Sequence, residues 1–204
     1  MDKTYPTKEQ CYRMIRDMGM MEHIVIHSLQ VCRVATFLTR HLIKQKHPLN
    51  FELIRSSALL HDITKTRSFI TREDHAKTGA VYLTECGYPE IGELIRQHVV
   101  LDGYSVDGQI TEGEVLNYAD KRVLHDRIVA LDKRQDYIVE TYAETEAHRQ
   151  RIYALWEKTR EMENKIFKDL SFAPDDLSRR IPHNGYSNDF RKYLQLLETS
   201  PSVE

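Results

Sequence analysis

The chain has little of what would commit it to a specialised class. Its three cysteines, Cys11, Cys32 and Cys86, are odd in number and form no C-x-x-C pair, which fits reduced thiols better than a disulfide framework. No run of about eighteen apolar residues occurs, so no transmembrane helix is expected. The first ~20 residues carry charges throughout and lack the apolar core of a secretory signal. Neither sign of charge dominates: 29 basic against 31 acidic residues give a formal charge of -2, which offers no electrostatic footprint for nucleic acid or an anionic membrane. Strand-like alternation, internal repeats and low-complexity tracts are absent. These absences leave a cytoplasmic globular protein, and 204 residues suffice for one good core with an appendage. What the chain does have is histidine: ten of them, several on apolar stripes.

The stripes are helical. Thr7-Lys8-Glu9-Gln10 has the form of a capping box and opens a short amphipathic helix that stops at Gly19. A second helix, about 22–45, carries His27, Val31, Val34 and Leu38 on one face. A third places Phe51, Ile54, Ala58 and His61 in line and runs into His61-Asp62-Ile63-Thr64-Lys65. Residues 66–73 read as a polar loop, and 75–85 as a helix whose Ala76, Gly79 and Ala80 suit close helix contact. Pro89 starts a helix whose apolar positions Ile91, Leu94 and Ile95 lead to His98. A second capping box, Thr111-Glu112-Gly113-Glu114, opens a helix expected to reach about 129, with Asp120 on the face of Leu116, Ala119 and Val123. Two charged amphipathic helices, 133–143 and 146–169, read as scaffold, followed by a linker or ordered loop over 171–185 and a short last helix from Ser187 to about Leu197.

A lone histidine on an apolar stripe is ordinarily a hydrogen-bonded core residue. Here His27, His61, Asp62, His98 and Asp120 lie at the apolar faces of four separate helices, and His75 starts a fifth. Buried carboxylates need a cation or strong hydrogen bonds, and a bound metal would answer for all of them together. Imidazole with carboxylate suits Fe, Mn, Co, Ni or Zn.

The ordered set His27, His61-Asp62, Asp120 resembles the H...HD...D signature of HD-domain metal-dependent phosphohydrolases, and His61-Asp62-Ile63-Thr64-Lys65 resembles their HDIGK variant with Thr64 in place of glycine. The resemblance covers about residues 20–145. It implies an all-α HD-domain helical bundle, here with an N-terminal helix (1–20), the HD domain (21–146) and a helical C-terminal extension (147–204). It also implies that His27, His61, Asp62 and Asp120 hold one metal, that His75 and His98 add a second with Asp62 bridging, and that metal-activated water cleaves a phosphoester. Asp62 and Lys65 are then the catalytic candidates, with Lys65 and Arg67 as phosphate contacts. Tyr118-Ala119-Asp120-Lys121 is similar to the matching helix of HD-type hydrolases that split dinucleoside tetraphosphates symmetrically, which favours a nucleotide. The expected partner is thus a small phosphorylated substrate, with neither nucleic acid nor membrane, and the extension is expected to cover the site or form a homodimer contact.

Other readings stay open. Some HD-fold proteins use the same six ligands as a diiron oxygenase, and a regulatory domain can retain metal and nucleotide without turnover. Gly87-Tyr88-Pro89 spells the tripeptide of the HD-GYP phosphodiesterases but precedes His98, and it reads as a helix stop and start. Lys65 and Arg67 could instead complement a helix dipole. Lys121, Arg122, His125, Asp126 and Arg127 read as a solvated helix face, and His23, His41, His47, His148 and His183 as ordinary surface or core residues.

Overall fold

The structure, a computed structural model, describes residues 4–198. Helices α1 (Lys8–Asp17), α2 (Glu22–Lys44) and α3 (Phe51–Leu60) open the chain. The Thr7 capping box closes as expected, its side chain accepting from Gln10 N while Gln10 returns a bond to the cap backbone. Almost every turn of α2 contributes to the core, from Ile24 to Leu42, and α3 packs along it through Leu53, Ile54 and Ala58.

Short helices follow: α4 (Lys65–Thr71), α5 (His75–Glu85) and α6 (Pro89–Arg96). The expected loop over 66–73 is mostly helix. None of the residues in α4 is buried, so it lacks the apolar stripe by which a helix is read in sequence; it ends at Arg72, in the left-handed region at φ 62°. Helices α5 and α6 approach closely because Gly79 and Gly92 lie between them. A Cβ on Gly92 would stand 2.7 Å from the carbonyl oxygen of Ala80, and one on Gly79 3.1 Å from Ile95 Cδ1.

Helix α7 (Glu112–Lys121) keeps its capping box at Thr111 but stops well short of 129. Strands β1 (Val123–Leu124) and β2 (Arg127–Ile128) form a small antiparallel ribbon, with Val123 opposite Ile128, turned through His125 at φ 55°. The ribbon corrects the reading that the chain has no strands, although the fold is all-α in every other described element.

Helices α8 (Leu131–Tyr142) and α9 (Glu146–Phe167) form a hairpin, and α9 packs on α7. Trp156 Nε1 donates to Leu131 O at 3.1 Å within the hairpin. Arg122, expected on a solvated face, is buried: its guanidinium donates to Glu163 Oε2 at 2.8 Å, to the Tyr118 hydroxyl at 2.6 Å and to Pro174 O at 3.1 Å. Lys165 reaches Glu114 at 2.7 Å and the carbonyls of Ser105 and Gln109, pinning the 102–110 loop. Two 3-10 turns and α10 (Leu177–Arg180) lead to α11 (Ser187–Glu198), which packs on α1 and α2.

Candidate metal centre

The fold brings all six expected ligands into one cluster. His27 comes from α2, His61 and Asp62 from the end of α3, His75 from the first turn of α5, His98 from just beyond α6 and Asp120 from the last turn of α7. His27 Nε2 lies 3.0 Å from Asp120 Oδ1, and His61 Nε2 stands 3.6 Å from the same oxygen. The two oxygens of Asp62 divide between neighbours: Oδ2 lies 3.4 Å from His61 Nε2, whereas Oδ1 lies 3.2 Å from His75 Nε2 and 3.6 Å from His98 Nε2. Asp62 thus stands between His61 on one side and the His75/His98 pair on the other.

Backbone carbonyls orient the rings. His61 Nδ1 donates to Ala58 O at 2.9 Å and His98 Nδ1 to Ile95 O at 2.6 Å, each three residues back. Both histidines follow a helix end, where the last carbonyls lack their full set of intrahelical donors, so each ring bonds such a carbonyl through Nδ1 while Nε2 turns inward. His27 Nδ1 donates to His125 O at 3.0 Å, a carbonyl presented by the β1–β2 turn. Sequence reasoning missed that contribution, because it depends on the β1–β2 ribbon and its left-handed turn at His125. Lys121 is buried as well, bonded to Asn117 Oδ1 at 2.7 Å and Val99 O at 3.2 Å, which steadies the backbone beside His98.

Burial and charge oppose each other throughout. Burial disfavours the carboxylates of Asp62 and Asp120, but both are held well below the usual carboxylate range: Lys65 and His61 hold Asp62 down, and the imidazoles of His27 and His61 beside it hold Asp120 down. Burial also opposes a charged His61, yet Asp62 and Asp120 outweigh it and lift the imidazole to about 10. His27 and His98 go the other way, pushed down by burial although Asp120 and Asp62 respectively oppose it. The site therefore draws a positive charge toward His61, between two carboxylates.

The cluster fits a divalent cation. His61 Nε2 and Asp62 Oδ1 are buried and make no hydrogen bond, which is costly unless something binds them. Ligand atoms of His27, His61 and Asp120 lie within 4.8 Å of one another, as do those of His61, Asp62 and His98. The donors are imidazole nitrogen and carboxylate oxygen, with rings fixed through Nδ1, the arrangement usual for metal-bound histidine.

Lys65 Nζ lies 2.8 Å from Asp62 Oδ2 and also lines a cleft of about 690 Å³ that reaches His75, His98 and Asp120. Burial disfavours its ammonium, but Asp62 and Asp120 more than compensate and raise its pKa. Arg67 is turned elsewhere, its Nε on Glu73 Oε1 at 2.6 Å, and it does not line the cleft. The cleft wall comes from α8 and α9, while Asp102, Gly103 and Tyr104 line a smaller adjoining chamber.

An all-α bundle holding a histidine–aspartate cluster of this kind is the arrangement of an HD domain, and the family comparison agrees. The model of the HD domain matches residues 24–131, more than half of the 204 residues, and the chain belongs to the HD-domain family, whose members bind divalent metals. Among solved structures, the chain is similar to a predicted HD superfamily hydrolase from an uncultured Thermotogales bacterium, at 22% identity over 79% of this chain and 91% of that one, with a TM-score of 0.45. No curated protein matches. No described helix is long and apolar enough to cross a membrane.

Proposed function

We propose that the protein is a phosphohydrolase that cleaves a nucleotide or related small phosphoester at the six-residue cluster. The observation that carries this reading is the pair of orphaned buried atoms, His61 Nε2 and Asp62 Oδ1, whose neighbours Lys65, His75, His98 and Asp120 line a cleft edged by lysine and arginine. His27, His61, Asp62 and Asp120 would hold one divalent ion, and His75 and His98, sharing Asp62, a second. Such ions supply an activated water at neutral pH and offset phosphoryl charge. Asp62 holds the two halves of the cluster together, and Lys65 keeps its carboxylate ionised while presenting an ammonium to a phosphate in the cleft. The Nδ1 bonds fix the rings, so the site is set before substrate arrives. Residues 21–146 form the HD domain in this proposal, and 147–204 an extension, of which residues 148–158 wall the cleft.

The similarity around Tyr118-Ala119-Asp120-Lys121 to symmetrical dinucleoside tetraphosphate hydrolases makes such dinucleotides the first substrates to try. The test is phosphate or nucleotide release from a panel of mono- and dinucleotides by protein loaded in turn with Mn, Fe, Co, Ni and Zn. Turnover with at least one is expected. Oxygen uptake with Fe(II) and no hydrolysis would favour an oxygenase, and tight nucleotide binding with no reaction would make the domain regulatory.

A further inference from the structure

The α8–α9 hairpin read in sequence as scaffold, yet its inner face carries cations that no described residue pairs with. The cleft is lined by five cationic side chains, Lys65, Lys121, Arg134, Arg151 and Lys158, and by a single carboxylate, Asp120, although the chain as a whole is slightly acidic. Lys65 is committed to Asp62, and Lys121 to Asn117 and backbone carbonyls. The other three have no ion-pair partner among the described residues; Arg134 only stands against the Tyr137 ring, 5.7 Å from its centroid. Elsewhere on α9 the arginines are paired: Arg149 with Glu146, and Arg160 with Asp132 and Glu157. The side toward the cluster lacks such pairs.

Between these cations the cleft is apolar. Val99 and Val100 expose 41% and 56% of their surface into a wall completed by Ile152, Leu155 and Trp156. Beyond Val100, Leu155 and Lys158, which both spaces share, lies the second chamber of about 310 Å³, where the buried Tyr104 hydroxyl has no hydrogen-bond partner. A ligand reaching from the cluster along this cleft meets Lys65, then unpaired guanidinium and ammonium groups, then apolar surface. Unpaired cations in a concave, partly apolar site concentrate anions. Arginine in particular binds phosphate through paired hydrogen bonds.

We propose that Arg134, Arg151 and Lys158 form an anion subsite for the phosphates adjoining the one held at the His/Asp cluster, so that the preferred ligand is a chain of two or more phosphates in place of a monoester. The inference rests on the phosphohydrolase reading for the position of the reacting phosphate. Its test does not depend on turnover. Trp156 is the only tryptophan of the chain and lines the cleft, so its fluorescence reports occupancy directly. Titration of the metal-loaded full chain with inorganic tripolyphosphate and with orthophosphate is expected to show tripolyphosphate binding at least about 30-fold tighter. In Arg134→Gln/Arg151→Gln, tripolyphosphate binding should weaken by about 30-fold or more and orthophosphate by less than about twofold. Arg151 is exposed, so Arg151→Gln alone leaves packing intact and should still weaken tripolyphosphate by about fivefold, whereas Arg149→Gln should change neither ligand. Unchanged tripolyphosphate affinity in Arg151→Gln and the double variant, or equal losses for both ligands, would overturn the subsite. If these differences appear but no phosphoester is ever hydrolysed, the hydrolase reading fails and the subsite stands.

Discussion

The Nε2 atoms of His75 and His98 lie 3.2 Å apart, and Asp62 Oδ1 is 3.2 Å from the first and 3.6 Å from the second. His98 Nδ1 already donates to Ile95 O, and burial pushes the ring toward its neutral form, so its Nε2 faces the gap as a lone pair. In the protein alone only the proton of His75 Nε2 separates these acceptors, whereas a divalent cation would satisfy all three at once. Chelation should therefore destabilise the protein. A ligand at about a thousand times its Kd contributes about 4 kcal/mol, and a domain of this size shifts by roughly 2–4 °C per kcal/mol, so the Tm of chelated protein should fall by about 10 °C and return when Mn is added. An unchanged Tm would show that no metal stabilises the fold.

The division of Asp62 between two sets of histidines predicts different losses for different substitutions. Asp62→Ala removes the shared carboxylate and should abolish stoichiometric metal. His75→Ala leaves His27, His61, Asp62 and Asp120 in place, and should lose about one equivalent while keeping the other. Elemental analysis after gel filtration reads both. Equal retention in the two variants would show that Asp62 does not bridge.

Why some of this could be read in sequence and some not follows from range. Thr7 and Thr111 cap their helices through residues three positions on, and His61 and His98 complete local apolar stripes, so these features are written within a turn or two of chain. Helix α4 has no buried side and so no stripe. The end of α7 was obscured because Val123 continues its apolar spacing, although the chain turns back at His125 to form the ribbon. Burial of Lys121 and Arg122 depends on carbonyls at 98–99, on Glu163 and on Pro174, partners about 20 to 50 residues away. The cleft wall on α8 and α9 depends on the same long-range packing.

Gly92 links helix packing to the site. Alanine there would normally favour a helix by up to about 1 kcal/mol, but its Cβ would stand 2.7 Å from Ala80 O, which is backbone and cannot rotate away. Overpacking of this kind costs about 1–3 kcal/mol, so Gly92→Ala should lower the urea midpoint with an unchanged m value. Because α5 carries His75 and α6 leads to His98, metal affinity should fall as well.

Two buried thiols predict an alkaline limit. Burial pushes Cys11 and Cys32 up to about 12 from an ordinary value of 9.0, while Cys86 is exposed. A thiol whose folded pKa is raised contributes its full stability below about pH 9, and that contribution is lost as pH rises toward 12, because the unfolded chain releases its proton first. Each thiol should add about 1.4 kcal/mol per pH unit to the decline in that window. Urea denaturation between about pH 9 and 11 should show a shallower decline in Cys32→Ala than in wild type. With a thiol-specific chromogenic reagent at neutral pH, Cys86 alone should react in the folded protein, with all three reacting in denaturant; rapid reaction of three folded thiols would contradict this burial.

His125 tests whether the ribbon serves the metal centre. Its side chain is not needed, since the bond to His27 Nδ1 is made by its carbonyl, and its backbone sits at φ 55°, which glycine adopts freely and β-branched residues resist. His125→Gly should therefore retain metal within about twofold, whereas His125→Val should strain the turn by about 1–3 kcal/mol and shift the carbonyl. Loss of a partner that orients a ligating histidine typically costs about 10–100-fold in metal affinity, and that is the fall expected for the valine variant in a competition assay with a chromophoric chelator. The opposite order, with glycine losing metal and valine keeping it, would mean that the imidazole of His125 matters and its backbone does not. Equal, wild-type affinity in both would remove the β1–β2 turn from any account of how His27 is held.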